Sequence, residues 1–160
     1  MIDLQQSGTG LDGYPLLVAQ LRALLSGERD FIANAAQFSA FVFQELSDLN
    51  WAGFYLARGA ELVLGPFQGK VACVRIAFGR GVCGAAAATG QTQRIENVHE
   101  FTGHIACDSE SNSELVVPLF KDGCLLGVFD LDSPSLGRFS AADQAGIEQL
   151  VAVFVELTDC

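Results

Sequence analysis

The stretch SELVVPLFKDGCLLGVFDLD, residues 113–132, decides the architecture. Two apolar, β-branched runs, 113–120 and 124–132, flank Lys121-Asp122-Gly123, and that pattern reads as a β-hairpin. Side chains two apart on a strand share a face, so Asp130 and Asp132 point together. Two carboxylates on one strand face are costly when buried without a partner. They either face water or await a cationic ligand. The hairpin register decides whether Glu114 joins them. With the two-residue loop Asp122-Gly123, Glu114 falls opposite Leu131, on the wrong face. With the three-residue loop Lys121-Asp122-Gly123 and a left-handed Gly123, Glu114 falls opposite Asp130 and the three acids form one cluster. We expect the three-residue loop. Pro118 removes one ladder donor and suggests an edge or a bulge.

Upstream, residues 103–119 read GHIACDSESNSELVVPL. Cys107 lies in a small polar loop with Asp108 and Glu110, ahead of the strand that starts at Ser113. A thiol on a loop held by a rigid strand is a common way to present chemistry. His99 and His104 are close by, but their spacing to Cys107 matches no standard zinc ligand pair. With His104 only three residues from Cys107, a Cys–His hydrolase pair is also a poor fit, and His104 reads as structural. Cys83 sits in Gly-Val-Cys-Gly, where a helix start favours a thiolate. Cys124 and Cys160 carry no local signal and read as ordinary small apolar residues. The glycine-rich residues 79–84 lack the Lys-Ser/Thr ending of a phosphate loop.

The remaining elements follow from periodicity. Residues 1–13 read as a loose arm. Pro15 opens a helix with Leu17, Leu21, Leu24 and Leu25 on one face, broken at Ser26-Gly27. A second helix covers 30–46, with Phe31, Ala35, Phe38, Val42 and Leu46 at helical spacing. Residues 51–56 read as a strand with Trp51, Gly53 and Tyr55 on one face. Residues 61–64 return, and 71–76 form a third strand that includes Cys73. A short helix falls within 79–90, a short strand within 93–98, and loop over most of 97–112. Ser140 and Asp143 resemble a capping box opening a last helix, whose apolar face is Ile147, Leu150, Val151, Phe154 and Leu157. Helices at both ends and an antiparallel sheet between them make an α+β domain. The helices cover one sheet face; the loops and the short helix are left to trap a ligand on the other.

The whole chain of 160 residues fits one domain. Its net charge of −10 and its scattered Lys and Arg argue against nucleic acid and anionic membrane surfaces as partners. No stretch is long and apolar enough to span a bilayer. Five cysteines without a recognisable export signal read as thiols of a cytoplasmic protein.

Six motifs stand together in the chain: NWAGFY (50–55), LGPFQGKVAC (64–73), GVCG (81–84), GHIACD (103–108), SELVVP (113–118) and DLDSP (130–134). In combination they resemble the free methionine-R-sulfoxide reductases, which are single GAF-domain enzymes. The resemblance implies a GAF-like fold and reduction of the R epimer of free methionine sulfoxide. It implies Cys107 as the attacking thiol and Cys73 as the resolving one, with Cys83 shielding the pocket or accepting the disulfide. It also implies an aromatic wall from Trp51 and Tyr55, and substrate ligands Glu114, Asp130 and Asp132. A disulfide recycled by thioredoxin, a homodimer, and no metal or organic cofactor complete the implied picture. Physical chemistry agrees with it. Free methionine sulfoxide carries an ammonium that the peptide-bound residue lacks, and a carboxylate cluster selects for it. Crowded carboxyls raise one another's pKa, so one can hold a proton for the sulfoxide oxygen. The rival reading is a non-catalytic GAF module that senses a small ligand or redox state.

Overall fold

The computed structural model describes residues 13–104 and 109–160. Most of the expected N-terminal arm, and Cys107 with Asp108, lie outside the described residues. The helices are α1 (Gly13–Leu25), α2 (Phe31–Glu45), α3 (Gly81–Thr89) and α4 (Ala141–Leu157); the strands are β1 (Trp51–Arg58), β2 (Glu61–Gly69), β3 (Arg75–Ala77), β4 (Gln93–Ile95), β5 (Ser113–Lys121) and β6 (Cys124–Ser133). Helix α1 begins at Gly13, with Pro15 near its start as expected. Pro15 thereby occupies the first turn, where its missing N–H has no intrahelical partner to lose. The Ser140–Asp143 capping box is formed in both directions and starts α4 as expected.

The strands form one six-stranded sheet in the order β3-β2-β1-β6-β5-β4, antiparallel at every pairing. Alternation along the strands divides two cores. On one face Ala52, Phe54, Leu115, Val117, Leu119, Phe129 and Leu131 pack beneath α1, α2 and α4. Phe38 meets Phe129 edge-on at 4.7 Å there, the burial that sets the sheet against α2. On the other face Trp51, Tyr55, Val116 and Val128 meet Val82, Cys83, Ala86 and Ala87 of α3.

Two expectations are corrected. The third strand is only Arg75–Ala77, so Cys73 lies on the loop that leaves β2, not in a strand. Strand β2 runs on to Gly69, so the return to the sheet is delayed and residues 70–74 cross outside it. The hairpin loop is the two residues Asp122-Gly123, both at positive φ (52° and 78°), with Lys121 paired to Cys124. That loop alone would send Glu114 to the wrong face. A bulge rescues it: Phe120 pairs with Leu125, Leu119 with Gly127, and Leu126 is the extra residue. Past the bulge Glu114 stands opposite Asp132 and Val116 opposite Asp130. A Cβ at Gly127 would lie 2.1 Å from the Tyr55 carbonyl oxygen, so glycine is what allows the bulged strand to close on β1. Pro118 is tolerated because β4 starts only at Gln93, opposite Val116, leaving β5 an edge beyond that point.

Candidate active site

The three acids share a face because register and pleat agree. Strand β1 continues that face: Trp51 stands opposite Asp132, Gly53 opposite Asp130, and Tyr55 opposite Val128. Helix α3 lowers Cys83 onto it. A cavity of about 50 Å³ results, lined among others by Trp51, Tyr55, Cys83, Glu114, Asp130 and Asp132. Of the sequence-predicted residues, these six converge. Cys73 sits beside the cavity, in the loop whose Val71 and Ala72 line it. Cys107 lies outside the described residues.

The aromatic side is rigid. Trp51 stacks on Phe67 at 5.2 Å and on Tyr55 at 5.8 Å, and its indole N–H donates to the Lys70 carbonyl at 3.1 Å. The Tyr55 hydroxyl donates to the Cys73 carbonyl at 2.9 Å. Burial, followed by the charges of Asp130, Cys83 and the other acids, pushes the Tyr55 phenol far up, so it stays a donor.

The acidic side is nearly dry. Glu114 and Asp130 are 6% and 5% exposed. Burial first, then the charges of Asp130 and Asp132, raises the Glu114 carboxyl well above the carboxylate range. Burial pushes Asp130 up to about 6, while hydrogen bonds from Glu114 and Cys83 oppose the rise. The pair is therefore biased toward holding a proton, on Glu114 more than on Asp130. Among the described residues Asp130 Oδ1 has no hydrogen-bond donor, and neither acid enters an ion pair.

Cys83 differs from expectation. It is the third residue of α3, yet burial, with the charges of Asp130, Glu114 and Asp132, drives its thiol well above the usual range. The helix start is overruled, and the S–H donates to Glu114 Oε1 at 3.8 Å. Cys73 is disulfide-bonded, whereas Cys83, Cys124 and Cys160 are free thiols.

The chain and its fold match known proteins closely. Residues 17–158 match the GAF domain model. The free methionine-R-sulfoxide reductase of Escherichia coli is 55% identical over 139 residues, covering 87% of this chain and 84% of that protein. The chain belongs to the free methionine-R-sulfoxide reductase family. The Saccharomyces cerevisiae free methionine-R-sulfoxide reductase is 42% identical over 142 residues, covering 84% of this chain and 79% of its own length. The free methionine-R-sulfoxide reductase of Neisseria meningitidis, solved in complex with its substrate, superposes with a TM-score of 0.92 at 40% identity, covering 98% of this chain and 95% of that one.

Within this family member, two residues outside the expected set also line the pocket, and a third, Asn50, holds one of them. His104 and Ser111 line it, although His104 reads as structural from sequence. Burial and then the neighbouring His99 lower the His104 pKa, which keeps the ring neutral. Asn50 donates to Ser111 Oγ at 3.1 Å and so ties the loop stem to β1. The Asn112 N–H donates to the Ser133 carbonyl and the Val98 N–H to the Asn112 carbonyl, which fixes the same stem. No local pattern marks these residues; only their long-range partners do.

Proposed function

We propose that the protein reduces free L-methionine-(R)-S-oxide to L-methionine. The observation that carries this reading is the convergence of buried Glu114 and Asp130 with Asp132 in a pocket walled by Trp51 and Tyr55. Asp130, with Asp132, pairs with the substrate ammonium, and the aromatic pair receives the apolar methyl end. Glu114 holds the proton for the sulfoxide oxygen.

Cys107 attacks the substrate sulfur. The oxygen, protonated by the cluster, passes to the thiol, methionine leaves, and Cys107 becomes a sulfenic acid. The Cys73 thiol displaces water from that sulfenic acid and forms a Cys107–Cys73 disulfide. That Cys73 is disulfide-bonded supports a redox role for it. Two electrons from an external dithiol, thioredoxin, restore both thiols. Cys83 stays a thiol and shields the pocket floor. The protein works as a cytoplasmic homodimer, a reading that a light-scattering mass of one or of two chains tests directly. Among the described residues no helix is long and apolar enough to cross a membrane.

The test is turnover of the two separate epimers of free methionine sulfoxide with the thioredoxin system. Reduction of the R epimer alone is expected. No reduction of it would leave a non-catalytic GAF module.

A further inference from the structure

We propose that Cys83, Glu114 and Asp130 also form a binding site for a soft divalent cation, with Zn²⁺ as the fitting ion. The site occupies the pocket of the proposed reductase reaction and makes that pocket subject to zinc. One Sγ and two carboxylate oxygens lie within 4.8 Å of one another, and the Sγ–Oε1 separation is 3.8 Å. Zinc bonds of about 2.3 Å to sulfur and about 2.0–2.2 Å to oxygen put tetrahedral ligand edges at roughly 3.5 Å. Rotamer adjustments of well under an ångström for the closer pair therefore suffice. All three groups come from rigid elements: α3, β5 and β6.

The second, independent observation is Asp130 itself. It is 5% exposed, and its Oδ1, buried with the other two groups, has no hydrogen-bond donor among the described residues. Arg80 lines the cavity, but no ion pair among the described residues joins a cation to Glu114 or Asp130. A buried set of two carboxyls and a thiol lacks positive charge, and a divalent ion supplies it. The thiol selects the ion: thiolate with carboxylate suits Zn²⁺, whereas Mg²⁺ and Ca²⁺ require all-oxygen cages. Three protein ligands leave one position for water, and the walls of Trp51 and Tyr55 keep bulk solvent away. A bound ion would take the Asp130 oxygen that the substrate ammonium needs, so metal and amino acid exclude each other.

The experiment uses the full chain carrying Cys73→Ser, Cys107→Ser, Cys124→Ser and Cys160→Ser, so that Cys83 is the single thiol. Zn²⁺ alone is added in equilibrium dialysis, and Co²⁺ serves as a spectroscopic probe. One equivalent of Zn²⁺ should bind, and Co²⁺ should show a thiolate charge-transfer band. A further Cys83→Ser change should abolish that band, and Asp130→Asn should weaken Zn²⁺ binding at least tenfold. Circular dichroism of each variant checks folding, and the wild-type protein with its disulfide formed, Cys83 being its buried free thiol, repeats the Co²⁺ measurement. Failure to bind Zn²⁺, or binding unchanged by both substitutions, overturns the site. The assay needs no turnover. Zinc binding that excess methionine sulfoxide leaves unchanged would count against the substrate reading of the pocket while the metal site stands.

Discussion

Glu114 and Asp132 face each other across the β5–β6 ladder because a single extra residue, Leu126, restores a register that the two-residue turn had put out of phase. The cluster thus depends on a bulge, and the bulge depends on Gly127. Gly127→Ala places a methyl against the Tyr55 carbonyl. A loss of about 2 kcal/mol or more is expected in urea denaturation, with a lower midpoint and unchanged slope. Unchanged stability would mean that β1 and β6 are less tightly apposed than the register implies.

Asp130 makes stability depend on pH in a predictable direction. Its folded pKa of about 6 lies above its ordinary value near 3.8. The folded state therefore binds more protons between those values, and stability falls as pH rises through that window. Replacing the group by Asn removes that cost. Asp130→Asn should have little pH-linked effect below about pH 4 and should gain relative stability, on the order of 2–3 kcal/mol, above about pH 6. Denaturation of both proteins at pH 4 and pH 8 checks the sign. If Asp130 pairs with the substrate ammonium as proposed, KM for methionine sulfoxide should fall as pH rises through about 6, and Asp130→Asn should flatten that limb.

The roles proposed for Cys107 and Cys73 separate by burst kinetics. Cys107→Ser should abolish methionine release even in a single turnover. Cys73→Ala should release one equivalent and then stall with thioredoxin as the only reductant. Steady cycling of Cys73→Ala would transfer the resolving role to Cys83.

Cys83 should resist alkylation. Its thiol is buried and held neutral by the acids around it, while Cys124 is exposed. At pH 8, iodoacetamide should label Cys124 at least about a hundredfold faster, because only an accessible thiolate reacts. Peptide mass spectrometry reads the ratio, and equal labelling would place Cys83 in a more open, less acidic setting.

Tyr55 links the pocket wall to the Cys73 loop through its hydrogen bond to the Cys73 carbonyl. Loss of one such bond is worth about 1 kcal/mol, or several-fold in rate. Tyr55→Phe should slow disulfide formation by that factor and leave the methionine burst unchanged. A smaller burst with normal disulfide formation would assign Tyr55 to substrate binding alone.

Much of the fold is legible in the residues because its signals are local. Ser140 and Asp143 lie within one turn and cap α4 without outside help. The apolar spacing of α1, α2 and α4 marks the face they bury, and the strands of the hairpin show themselves by β-branched runs. Strand ends were less legible. The segment 71–76 is rich in β-formers, yet only Arg75–Ala77 pairs with β2, since pairing depends on where a distant strand stops.

The residues alone carry the α+β layering, the hairpin, the shared strand face of Asp130 and Asp132, and the family motifs. Tertiary structure alone decided three things. The bulge at Leu126 places Glu114 with the other acids, because ladder register answers to all neighbouring strands at once. The loop carrying Cys73 is held by Tyr55, eighteen residues earlier in the chain. The state of Cys83 is set by burial among Glu114, Asp130 and Asp132, which outweighs the helix start its own motif provides. Electrostatics inside a protein acts through space and dehydration, and neither can be read from adjacency along the chain.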